Sequence, residues 1–252
     1  KRVRATGFDE EYDNGDVLTA LSKLTDGSYS GLTSEGKEQD GMPVLQGKMK
    51  VNAFVYEEDM EKLMEYFQGH LEIAVTGGYY VKFADPEVQR ICAENWGDGT
   101  GIITEQIETV TDISNMFAAN QTIESFDEFE KFIGVTFIGG TWSDWVYGFR
   151  NCTNLRSVIL PSSLKTLKHQ AFSGCLSLES IGNIQNITDI QSWAFYNCTS
   201  PGIEVDLPSL SSMGERAFTN SGITKVLSLG NITLLPSGYD DGVFARCKNL
   251  VE

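Results

Sequence analysis

Six side chains in this chain are of the types that grip ligands. Trp142, Trp145 and Tyr147 crowd into one short stretch, and Gln170, Trp193 and Arg216 follow Tyr147 at equal steps of 23 residues. Tryptophan, tyrosine and arginine dominate binding hot spots, because they join a large face to a directed polar group. Tyr147, Gln170, Trp193 and Arg216 are together too polar for a core. Their spacing therefore predicts an outward column in which an aromatic, an amide and a guanidinium lie side by side. Such a column suits either stacking on a sugar face or anchoring a protein hot spot. The competing reading of the tryptophan pair is that it packs a joint inside the fold, since large aromatics are usually well buried.

Other chemistries fit less well. Gly31 to Glu38 follows G-x-x-x-x-G-K, but Glu38 stands where Ser or Thr would hold Mg²⁺, and no apolar strand leads in. Only two histidines occur, His70 and His169. Both read as surface residues, and His169 is not expected to meet the buried Cys175 as a nucleophile pair would require. The run Glu57-Glu58-Asp59 reads as negative charge favoured at a helix N-terminus rather than as a glycosidase pair. Of five cysteines, Cys152, Cys175, Cys198 and Cys247 share one column, while Cys92 reads as a helix-face core residue. A ladder of single thiols has no C-x-x-C pair to hold a metal, so these side chains are predicted to be reduced, buried and unbridged. Ser221 takes the same place in one unit, as a packing position allows. No cofactor and no metal ion is expected. Of five N-x-S/T triplets, those at Asn151 and Asn197 read as turn formers.

The elements that must position these residues follow from the same step. Phe149, Phe172, Phe195 and Phe218 are 23 residues apart, and the columns Ala171-Ala194-Ala217, Leu164-Ile187-Leu210 and Leu167-Ile190-Met213 keep that step. Apolar columns at one period describe a solenoid, in which no repeat buries its apolar face alone and stacking makes one core. The phenylalanines are predicted to stack inside a right-handed solenoid over residues 110–252, each repeat adding a strand at about 4.8 Å. Between Phe117 and Phe149 the step is 32 residues, nine more than the period, and the surplus includes the tryptophan stretch.

Leu164 to Ile181, with Leu167, Ala171, Phe172, Cys175 and Leu178 in register, resembles the BspA-like leucine-rich repeat, I-x-x-I-x-x-x-A-F-x-x-C-x-x-L-x-x-I before a short strand. The resemblance covers residues 141–252 well. A weaker unit precedes it, with Phe117, Asn120, Ile123 and Phe126 in the F, C, L and I places. The stretch from Phe83 through Trp96 to Ile113 also resembles what leads into such repeats. There relatives often carry an EF-hand-like loop, of whose ligands only Asp98 and Thr100 remain at Asn95 to Ile103, too few oxygens for calcium. The resemblance implies an α/β solenoid of leucine-rich repeats with a 23-residue period. It also implies a bacterial cell-surface or secreted protein of the kind found in oral and gut anaerobes, linked in some cases to adhesion.

The preceding residues are less regular. Residues 83–109 form a helical cap or linker: Asp85 caps a helix opened by Pro86, whose Val88, Ile91 and Cys92 make one apolar face ending near Trp96. Residues 1–82 are read as a small α+β domain with a flexible acidic start. It comprises a short helix near 16–24, a loop over 25–42, a strand through Met49, Val51 and Val55, a helix through Met60, Leu63, Met64 and Phe67, and a hairpin of Leu71–Val75 with Tyr79–Phe83 across Thr76-Gly77-Gly78.

The chain's net charge is −16, and residues 1–109 hold 21 acids against 10 bases. Such a field repels phosphate backbones and anionic lipid, so nucleic acid is not an expected partner. No apolar run is long enough to span a membrane, and Lys1 to Phe8 has no signal-peptide core, which leaves room for a removed leader or an upstream lipid anchor. Together these readings describe a non-enzymatic, extracellular or surface module that presents its repeats to a protein or glycan. The alternative is a glycan-processing enzyme or accessory whose active part lies in residues 1–82, with the repeats as spacer.

Overall fold

A computed structural model describes residues 78–141, 143, 147–232 and 242–251. It also describes shorter pieces of the preceding segment: 2–4, 11–13, 38–39, 42–43, 47–51, 54–58, 60–61 and 71–75. The chain divides into two compact units, Lys1–Lys82 and Phe83–Glu252.

In the first unit, β1 (Arg2–Arg4) and β2 (Glu11–Asp13) pair antiparallel, as do β3 (Glu38–Gln39) and β4 (Met42–Pro43). β5 (Gly47–Val51) pairs parallel with β7 (Leu71–Val75), and β6 (Phe54–Val55) pairs parallel with β8 (Gly78–Tyr79). The expected hairpin is therefore not formed. Both pairings carry the same offset, Gly47 against Leu71 and Phe54 against Gly78, so the chain returns beside itself once per turn instead of reversing at Gly77-Gly78. Two consecutive strands repeated at one offset are the register of stacked rungs, not of a β-turn. The short helix expected near 16–24, most of the loop over 25–42, and Leu63, Met64 and Phe67 lie outside the described residues.

The second unit opens with α1 (Pro86–Asn95). Asp85 caps it, its side chain accepting from the backbone of Glu87 and Val88, and Val88, Ile91, Cys92 and Ala93 are buried. The other oxygen of Asp85 accepts from Glu124 N at 2.7 Å and Ser125 N at 3.3 Å, so one carboxylate ties the helix start to the strand that follows. Arg90 pairs with Glu87 and Glu94, and holds the Glu87 carboxyl down at about 2. α2 (Thr104–Thr109) comes next, after a tight loop in which a Cβ on Gly97 would lie 1.9 Å from the Gly101 carbonyl.

Each repeat then contributes two very short strands to separate parallel ladders. One ladder joins β9 (Ser125–Phe126), β11 (Ser157–Ile159) and β13 (Ser180–Gly182). A second joins β10 (Phe137–Ile138), β12 (Thr166–Leu167), β14 (Asp189–Ile190) and β16 (Ser212–Met213). β15 (Glu204–Asp206) and β17 (Lys225–Ser228) pair apart from these. The expectation of one strand per repeat thus becomes two, because the chain is extended at both flanks of the solenoid and turns sharply between them.

The core is the predicted set of columns. Phe149, Phe172, Phe195 and Phe218 are fully buried and stack at centroid separations of 5.2, 5.3 and 4.9 Å with interplanar angles of 10° or less. Phe117 and Phe244 extend the stack at its two ends. Nearly parallel rings at this separation must be slid over one another, the offset arrangement that aromatic quadrupoles favour. Beside the stack, the thiols of Cys152, Cys175, Cys198 and Cys247 donate to the carbonyls of Phe117, Phe149, Phe172 and Phe218, at 3.0, 3.0, 3.1 and 3.0 Å. All five cysteines are free thiols, the first four buried and Cys247 half-buried. In Asn120, which holds the cysteine place of the first rung, the amide oxygen instead accepts from Thr122 N and Ile123 N, closing the turn with a side chain.

Candidate functional site

The turn around each phenylalanine positions the candidate residues. Two residues after the ring the backbone is left-handed at Asn151, Gly174, Asn197 and Asn220, and two residues before it at Gln170, Trp193 and Arg216. The reason is hydrogen bonding. Amides on both sides of the ring reach to the next rung: Gln170 N and Trp193 N donate to the carbonyls of Ser192 and Glu215, and Asn151 N and Gly174 N to those of Ser173 and Tyr196. Leaving those amides unmade in a buried turn costs more than the strained dihedral.

Of the predicted column, Tyr147, Trp193 and Arg216 are half-buried, while Gln170 is only 9% exposed. The outward column is therefore interrupted at Gln170. Trp193 stands at the centre of what remains. Its ring stacks on Tyr196 at 5.3 Å and 27°, lies 6.0 Å from the His169 ring, and has the Arg216 guanidinium 5.8 Å from its centroid. Tyr147 carries Arg150 over its face at 4.2 Å, and its amide donates to the Asn115 side chain. Trp142 and Trp145 lie outside the described residues.

His169 departs from expectation. Its exposure is 5%, because the turn folds it inward between Gly140, with which its backbone bridges, and the Trp193 ring. Burial lowers its pKa, so the imidazole is neutral at pH 7, presenting one donor and one acceptor. It lines an open cleft of about 410 Å³ on the four-stranded ladder, with Thr141, Asp189, Ile190, Gln191, Ser192, Ser212 and Gly214. Sequence reasoning missed this cleft. Its residues come from four rungs and no column among them repeats a residue type, so no column announces it.

In the degenerate loop, Asp98 Oδ1 accepts from Thr100 N at 2.9 Å and Gly101 N at 3.0 Å. Among the described residues, no group of three or more His, Cys, Asp or Glu side chains could hold a metal. No helix among them is long and apolar enough to cross a membrane. His70 and nearly all of the Gly31–Glu38 stretch lie outside the described residues.

A parallel-laddered solenoid with a buried Phe–Cys seam and few helices is a leucine-rich repeat protein. Residues 145–251 match the model of the BspA type leucine rich repeat region in six copies. Two crystal structures are similar in part. A leucine-rich repeat protein from Bacteroides ovatus ATCC 8483 is 25% identical over 51% of this chain and 34% of its own, with a TM-score of 0.36. One from Eubacterium ventriosum ATCC 27560 is 21% identical over 56% of this chain and 40% of its own, with a TM-score of 0.33. The match thus spans well under half the length of either. No curated protein sequence is significantly similar to the chain.

Proposed function

We propose that the chain is a non-enzymatic binding module of a bacterial cell-surface or secreted protein, presenting its solenoid to a protein or glycan in an adhesive role. The observation that carries this reading is Trp193. A bulky residue in the left-handed region is strained. Yet the indole is only half-buried, and it is grouped with Tyr196, His169 and Arg216. A side chain kept only for packing would lie in the core with the phenylalanines. The family is one of repeat scaffolds whose surfaces bind, which supports the reading at the level of fold. The alternative of an active part in residues 1–82 finds no support in the few side chains described there.

The test is a screen against immobilised matrix proteins and glycans, followed by titration of the best binder against Trp193→Ala. The variant is expected to weaken binding at least about tenfold, roughly 1.4 kcal/mol, with its melting temperature nearly unchanged. A variant that melts earlier and binds as before would make the cluster structural.

A further inference from the structure

The cleft on the four-stranded ladder differs in kind from the aromatic cluster beside it. Its lining holds three hydroxyls (Thr141, Ser192, Ser212), one carboxylate (Asp189), one carboxamide (Gln191) and the neutral imidazole of His169, with Ile190 as its one aliphatic side chain and Gly214 as bare backbone. Gln191 Nε2 lies 3.3 Å from Asp189 Oδ2, so amide and carboxylate work as a connected pair. Among the described residues, no lysine or arginine lines the space. Arg150 and Lys168, cations of the same rungs, are turned onto aromatic faces, 4.2 Å from the Tyr147 centroid and 3.4 Å from that of Phe137.

A peptide anchor would want an apolar hole for an aromatic or aliphatic side chain, and the described lining residues form none. A phosphate, sulfate or carboxylate would meet Asp189 with no lysine or arginine among the described lining residues, inside a chain whose net charge is −16. A polyol suits the lining: a carboxylate takes hydroxyl protons, an amide and hydroxyls both give and take them, and a volume near 410 Å³ lies in the range of small-molecule sites, roughly 300–1,000 Å³. His169 lines the cleft and also lies 6.0 Å from Trp193, so a chain of sugars leaving the cleft on that side meets an aromatic face.

We propose that the cleft bounded by Asp189, Gln191, Ser192, Ser212, Thr141 and His169 is a subsite for one residue of a neutral glycan. This deepens the binding-module reading and rests on it. The test uses the whole chain and named probes. Neutral cellotetraose, mannotriose, N,N′-diacetylchitobiose and lacto-N-tetraose are titrated by calorimetry beside anionic 3′-sialyllactose and a heparin hexasaccharide. At least one neutral probe should bind and neither anionic one should. The double variant Asp189→Ala with Gln191→Ala should weaken that binding tenfold or more. Ser212→Phe, an exposed change beside Asp189 in the ladder that fills the mouth of the cleft while leaving both the amide and the carboxylate in place, should do the same if the double variant fails to fold. Binding by none of the neutral probes, preference for the anionic ones, or unchanged affinity in the folded variants overturns the proposal. A protein ligand sensitive to Trp193→Ala but indifferent to Ser212→Phe would leave the binding-module reading standing and remove the glycan subsite alone.

Discussion

In the inner rungs, from Phe149 to Phe218, the left-handed positions on the two sides of the ring are filled differently, whereas in the end rungs Asn115 precedes Phe117, Ala119 follows it and Arg246 follows Phe244. After the phenylalanine stand Asn151, Gly174, Asn197 and Asn220; before it stand Gln170, Trp193 and Arg216. Glycine and asparagine are the residues that enter this conformation most readily, whereas Gln, Trp and Arg meet a steric cost of about 1–2 kcal/mol. In these inner rungs the trailing residues thus suit their backbone, and their side chains stay local, as when the Asn220 amide donates to the Asn197 oxygen. At Gln170, Trp193 and Arg216 the leading column meets the same backbone demand with residues that do not suit it. What its side chains do must outweigh the strain, and around Trp193 that is an aromatic cluster at the surface rather than a filled core.

Breaking the ring that both columns flank has the largest expected effect. Phe172→Ala removes a fully buried ring between two stacked neighbours and should cost about 3–5 kcal/mol, read as a large fall in the urea midpoint. A change confined to the trailing column comes next. Gly174→Ala puts a Cβ 2.3 Å from Asn151 Oδ1 on a backbone at φ 78° and should cost about 1–2 kcal/mol from the dihedral alone. An unchanged midpoint would mean that the trailing column is not selected for conformation. The finest test lies in the leading column. Trp193→Gly and Trp193→Ala both lose the indole, but only glycine accepts φ 65° without strain, so the glycine variant should be the more stable of the two by about 1 kcal/mol. Equal midpoints would show that the leading column carries no strain, and the contrast between the columns would collapse.

The columns could be read from the sequence because each rung repeats a residue type: a phenylalanine seam and a cysteine seam are visible as letters. What governs the site is not so written. Gln170 and His169 are polar, yet the turn that directs the Gln170 amide to the next rung and bridges the His169 backbone to Gly140 carries both inward, and a residue's polarity does not reveal the sense of a turn. The cleft is assembled across rungs from unlike residues, so no period marks it. The hairpin expectation for residues 71–83 failed because Gly77-Gly78 is a good turn sequence in isolation. Its strands instead pair with partners one rung back, a choice of long-range over local pairing that turn chemistry cannot foresee.

The thiol seam also sets how the module ages. Peroxides and disulfide exchangers attack the thiolate, not the thiol. Burial pushes the thiols of Cys152 and Cys198 up to about 12, so at pH 7 they stay protonated. Each proton is also engaged by a carbonyl of the rung before. A repeat built this way can sit in air and oxidants for long periods with neither a disulfide to be reduced nor a reactive sulfur to be lost, since its chemistry is suppressed by concealment. Cys247, half-buried in the final described rung, is where that protection thins, and corrosion of the array would begin there.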